Sequence, residues 1–114
     1  MHMQCSINEG VARWVITEGE HPQLDVYKNT LLLVPHRHAV SPELQRVKAL
    51  YACEEYKPRE SRIEFTNGNL EVRSWGSGTR MELMGKRYEC IIVNRDCEVN
   101  VNDLINLSLR VKHQ

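Results

Sequence analysis

The chain lacks an excess of charge of either sign. Its 15 lysines and arginines are matched by 15 aspartates and glutamates over 114 residues, so the formal net charge is zero. Non-specific attraction to nucleic acid or anionic membranes needs surplus positive charge, and a polyanionic DNA mimic needs the reverse. The balance disfavours both classes. Nor does it hide two opposed halves, because residues 1–57 hold 6 basic and 7 acidic groups and residues 58–114 hold 9 and 8. Long apolar runs are missing too. A membrane-spanning helix takes about 20 apolar residues, whereas Leu31 to Val34 is an apolar run of four. Met1 to Gly10 is polar and lacks the apolar segment of a signal peptide. Cysteine is present as Cys5, Cys53, Cys90 and Cys97, but no two have the C-x-x-C spacing of a zinc or redox site. The expectation is a single domain over residues 1–114, soluble and cytoplasmic, with four reduced thiols, of which Cys53 and Cys90 sit among apolar neighbours.

Catalytic signatures are absent as well. There is no G-x-S-x-G, no P-loop and no G-x-G-x-x-G. The carboxylates of Glu54 and Glu55 are neighbours on an expected helix and point apart, so they do not make an acid–base pair. No cofactor is implied, and a non-enzymatic protein is favoured over an enzyme.

One segment reads as a helix, about residues 42–56. Ser41 suits the N-cap, Pro42 the first helical position, and Glu43 the positive end of the dipole. Leu44, Val47, Leu50 and Tyr51 then follow at helical spacing, and Pro58 closes the segment. Elsewhere the pattern alternates. Val11 to Ile16 reads as one strand and Leu24 to Val34 as another. Asn67-Gly68 between two alternating runs predicts a type I′ hairpin that pairs Phe65 with Leu70 and Ile63 with Val72 on one face. Gly85-Lys86 suggests a second hairpin, Val99 and Val101 alternate with asparagines, and Ile105, Leu107, Leu109 and Val111 alternate to the end. The sum predicts an α+β protein, mostly antiparallel, a meander barrel or sandwich of about eight short strands with one covering helix.

Three groups of residues suggest function. The first is the loop from Arg73 to Arg80, in which Trp75 precedes two glycines and lies between the two arginines. Tryptophan and arginine dominate binding energy at protein interfaces, because they offer large contact area and strong directional donors. With Tyr51 and Tyr56 they form the candidate partner-binding set. The second is basic and aromatic: Arg59, Arg62, Arg73, Arg80 and Arg87 with Tyr51, Tyr56, Trp75 and Tyr88 would suit a small barrel that stacks single-stranded nucleic acid. Glu60, Glu64, Glu71, Glu82 and Glu89 interleave with those arginines, however, and diagonal pairs such as Glu64–Arg73 and Arg62–Glu71 would cancel the local field.

The third is Pro35-His36-Arg37-His38 followed by Glu43. On a strand the two imidazoles would share one face. The string resembles the first metal-binding motif of the cupin family, which implies a jelly-roll and a metal held by His36 and His38. In that family the carboxylate lies on the next strand and a later motif adds a histidine. Here Glu43 opens the expected helix, and His113 is the only later histidine.

The sequence therefore favours a small binding protein that engages another protein, as inhibitors, adaptors and phage or mobile-element regulators of host machinery do. The alternatives are a single-stranded nucleic-acid-binding barrel and a cupin-like metal protein. A homodimer through an edge strand at Ile105 to Val111 is a further expectation.

Overall fold

The computed structural model describes residues 2–8, 11–17, 24–76, 88–94, 96–109 and 111. Its strands are β1 (His2–Asn8), β2 (Val11–Thr17), β3 (Asn29–Val34), β4 (Glu55–Lys57), β5 (Arg62–Glu64), β6 (Asn69–Ser74) and β7 (Cys90–Asn94). Among the described residues two α-helices accompany them, α1 (Val40–Leu50) and α2 (Val101–Ser108). All the strands join one mixed sheet in the order β2-β1-β7-β3-β6-β5-β4. Its ends, β2 and β4, do not meet, so the α+β protein is built on an open sheet and not on a closed barrel or a two-sheet sandwich.

The departure from a meander lies at the centre. There β3 runs parallel to both β6 and β7, while β1–β2, β1–β7, β4–β5 and β5–β6 are antiparallel. Parallel strands are covered on both faces and so carry continuous apolar runs. Leu31 to Val34 and Ile91 to Val93 are such runs, and each of these residues is buried. Period-two alternation divides them between two cores. On one face Leu32, Val34, Leu70, Val72 and Ile92 pack with Leu44 and Val47 of α1. On the other, Leu31, Leu33, Ile91, Val93 and Cys5 pack with Leu107 of α2. Each helix thus covers one face, where the sequence pattern predicted a single covering helix.

The first helix is shorter than the predicted 42–56 span. A 3-10 turn at Arg37–Ala39 leads into it, Ala39 and not Ser41 is its N-cap, and no side chain caps it. It ends at Leu50 because Tyr51 turns extended, at φ −124° and ψ 140°. Pro58 opens a separate 3-10 turn, Pro58–Glu60, after β4.

The segment predicted to alternate as a terminal strand is α2. Asn100 accepts a hydrogen bond from the backbone N–H of Asp103 at 2.9 Å, and the Asp103 carboxylate accepts one in return from the Asn100 N–H. This reciprocal cap satisfies two donors at the helix start. An edge strand at Ile105 to Val111 is therefore not available for pairing between chains. The expected Leu24–Val34 strand is confined to β3. The Gly85-Lys86 hairpin lies outside the described residues.

The Asn67-Gly68 turn also differs. The observed register pairs Ile63 with Leu70 and Glu64 with Asn69, leaving a four-residue connection closed by Phe65 N–H on Gly68 O at 2.8 Å. Neither central residue has the positive φ that a type I′ turn requires, since Ser61 alone among described non-glycine residues has one. The register is displaced by two residues, an even number, so Ile63, Phe65, Leu70 and Val72 still share one core.

Candidate functional site

Because β3, β6 and β7 are parallel, their carboxyl ends lie along one edge of the sheet. A cleft of about 350 Å³ opens there, lined by Arg37, Val40, Ser41, Leu44, Pro58, Ser61, Val72, Arg73 and Ser74. Crevices outside the carboxyl ends of strands are where open α/β sheets bind ligands. Each wall has a local cause. The chain leaves β3 at Val34 and turns at once through Arg37–Ala39 into α1, which puts Val40, Ser41 and Leu44 on one side. Ser74 stands beside Val34 in the parallel register, and the next residue, Trp75, donates its N–H to Val34 O at 2.8 Å. Ser61 enters from the turn before β5 at φ 54°, a left-handed conformation that costs a non-glycine residue roughly 1–2 kcal/mol. Its carbonyl accepts the Val72 N–H at 2.9 Å, which ties the turn to β6.

The lining has two arginines, three hydroxyls and no carboxylate. The first turn of α1 abuts it without a side-chain cap, and Glu43 of that turn, paired with Arg46, already stands at the positive end of the helix dipole. Val40, Leu44, Pro58 and Val72 make the rest apolar. Such a cleft suits a carboxylate carried on an aliphatic stem.

The Arg73 side chain turns to the opposite face of β6 from Val72 and Ser74 and is held there. Glu71, buried two residues earlier on the same face of β6, accepts hydrogen bonds from Arg73 Nε and from Tyr88 Oη, both at 2.8 Å. Burial raises the Tyr88 pKa well above its ordinary value, and the adjacent Glu71 carboxylate adds to the effect. Arg62 stands opposite Glu71 in the β5–β6 register, and its buried Nε has no hydrogen-bond partner among the described residues. The Arg73 side chain remains 28% exposed. Its ion pair with Glu71 restricts its rotamers in advance of any contact.

The sequence-derived candidates do not form one cluster. Trp75 is half-buried and packs against the core beneath α2. Tyr51 and Tyr56 pack against the opposite core. Tyr51 meets Phe65 edge-on at 6.5 Å, and its hydroxyl accepts the Leu24 N–H at 3.4 Å. The Tyr56 ring lies under Lys48 Nζ at 4.5 Å. Arg80 is outside the described residues. His36 and His38 are exposed and belong to the 3-10 turn and its cap, not to a strand, so the pleat that would align two imidazoles is absent. Among the described residues no three His, Cys, Asp or Glu side chains converge as a metal site.

The interleaved charges pair closely. Lys57 contacts Glu55, Glu60 and Glu64, Arg62 contacts Glu64, and Arg73 contacts Glu71. Arg62 faces Glu71 directly in the register and not diagonally.

The cleft itself was not anticipated from the residues. Local pattern marks Ser41 as a helix cap and Arg37 as a member of the Pro35-His36-Arg37-His38 string, and neither as the wall of a cleft. The available signal was a fully apolar strand followed within a few residues by a helix, which is the start of a parallel crossover. No known protein family, curated protein or solved structure matches the chain. Among the described residues no helix is long and apolar enough to cross a membrane.

Proposed function

We propose that this protein is a non-enzymatic binding protein whose partner is another protein, engaged at the edge where β3 and β6 end. The cleft takes an acidic side chain or terminal carboxylate of the partner. Arg37 supplies directional donors in the cleft, and Arg73 and Trp75, on the other face of β6, extend the contact round the same edge. The observation that carries this reading is the lining, which holds two arginines and three serines and no carboxylate. Arginine and tryptophan near one another are typical of the few residues that dominate binding energy. Pre-orientation of Arg73 by Glu71 lowers the entropy lost on contact.

Affinity capture from the native host's lysate tests the idea, with Arg37→Glu as the informative variant. Arg37 is exposed, so reversing its charge leaves the core intact. The wild-type chain is expected to retain a partner that Arg37→Glu retains at least tenfold less, with matching thermal midpoints, a loss of about 1.4 kcal/mol or more. Equal retention by both proteins would remove the cleft from the interface. Trp75→Ala is expected to weaken the same complex by more than about 1–2 kcal/mol. Capture of nucleic acid instead, falling steeply with salt, would favour the electrostatic alternative.

A further inference from the structure

On the far side of the sheet, α2 exposes an apolar stripe. Val101, Ile105 and Leu109 recur at four-residue steps along one side of the helix and are 71%, 56% and 62% exposed. A surface helix normally turns charged or polar residues outward and keeps its apolar stripe for the core. Here Leu107 supplies the core contact, and the opposite stripe is apolar as well. The only charged residue of the helix, Asp103, is buried in the reciprocal cap with Asn100. The outer side of α2 therefore carries no formal charge.

The position of the stripe narrows what covers it. Ser108 follows Val101 by seven residues and so shares its side of the helix. Its hydroxyl accepts a hydrogen bond from Nε1 of Trp14 in β2. The stripe thus lies on the β2 side of α2, and β2 is the end of the sheet. Among the described residues no strand pairs with the outer edge of β2, although its seven residues make one of the two longest strands. Unpaired strand edges of that length are templates for pairing with another chain.

We infer that this surface is the interface of a homodimer, in which β2 pairs antiparallel with β2 of a second copy and the two α2 helices meet across the twofold axis. Antiparallel pairing of identical edges is self-complementary about an axis perpendicular to the sheet. That operation leaves both α2 helices on the same side of the continued sheet. Uncharged stripes meet there without like-charge repulsion, and a chain of zero net charge meets no long-range barrier to approaching its copy. Area requires the strand as well as the helix. A stable interface buries about 800 Å² per partner. An eight-residue helix is only about 12 Å long, whereas the β2 edge adds about 24 Å of ladder beside it. This dimer uses neither the cleft nor Arg37, and it stands or falls separately from the proposed function.

The test is sedimentation equilibrium of the full chain, alone and as Ile105→Glu, with hydrogen exchange of the β2 amides followed against concentration. The wild type is expected to approach twice the chain mass as concentration rises, with β2 amides gaining protection in step. Ile105→Glu places two carboxylates across the axis and is expected to weaken self-association at least tenfold, with matching thermal midpoints at concentrations where both proteins are monomeric, because Ile105 is exposed. A wild-type chain that stays monomeric at about 100 μM, well above a micromolar dissociation constant, would overturn the inference. So would a dimer that Ile105→Glu leaves intact, or one whose β2 amides exchange at the monomer rate.

Discussion

At Gly68 a single added carbon would meet main chain on all sides. A β-carbon there would stand 2.6 Å from the carbonyl oxygens of Val26 and Lys28 and 2.8 Å from the Lys28 nitrogen. None of these is the yielding end of a side chain. Gly68→Ala is expected to destabilise the protein by about 1–3 kcal/mol, the usual cost of overpacking. Chemical denaturation would show this as a lower midpoint with an unchanged slope, and a wild-type midpoint would mean that residues 24–28 give way freely. The sequence marks this glycine for the right importance and the wrong reason. Asn-Gly signals a tight turn with positive φ, whereas the residue is required because the segment before β3 crosses close above it. Proximity of Val26 to Gly68 is a tertiary fact that no local pattern contains. Arg73 teaches the same lesson from the other direction: its importance is visible beside Trp75, but its fixing by Glu71 depends on Tyr88 arriving from a distant part of the chain.

Among elements, what was legible followed the burial of each face. Strands with a one-sided core, such as the pair around Asn67-Gly68, declared their faces even though the register moved by two. Strand β1 passed unread because its polar residues dominate, although Met3 and Cys5 alternate into the core beneath α2. The sharpest misreading is α2. Ile105, Leu107, Leu109 and Val111 alternate as a strand would, yet the helix places Ile105 and Leu109 outside and Leu107 inside. Period-two alternation and a helix apolar on two sides look alike over so short a span. The deciding signal was the capping box of Asn100 with Asp103, which local reading could have weighed. Asn100→Ala removes the side-chain acceptor and is expected to cost about 1 kcal/mol. The measurable consequences are a lower thermal midpoint and faster amide exchange over 101–104. Unchanged exchange there would show that packing of Leu107 alone holds the helix.

At the scale of the molecule, the open mixed sheet was beyond local reading because its central pairings are parallel and distant in sequence. Hairpins announce themselves through their turns, whereas an apolar strand leading into a helix marks the start of a crossover and not the strand to which it returns. Both faces of that sheet bury ionisable groups in their neutral form, which gives the whole protein a defined response to alkali. Cys90 lies in the core beneath α1, and Cys97 and Tyr88 lie in the core beneath α2. Burial raises the pKa of all three, that of Cys97 from the ordinary 9.0 to about 12. The unfolded chain releases these protons near pH 9 for the thiols and pH 10 for the tyrosine, while the folded chain keeps them. Above about pH 9 the unfolded state therefore binds fewer protons, and stability falls as pH rises. Below that pH their contribution is fully present. Each group adds at most about 1.4 kcal/mol per pH unit to the slope. Lys57 acts in the same sense at the surface, where a hydrogen bond to Glu64 and the charge of Glu55 raise its pKa. Urea denaturation at pH 8, 9, 10 and 11 measures the effect directly, and a free energy independent of pH across that series would refute it. Tyr88→Phe separates the contributions. It removes the Glu71 hydrogen bond, at a cost of about 1.5–3 kcal/mol below pH 10. It is also expected to flatten the slope above pH 10 while leaving the thiol portion between pH 9 and 10 in place. If the slope above pH 10 survives that substitution unchanged, the proton that matters there is not the one Tyr88 donates to Glu71.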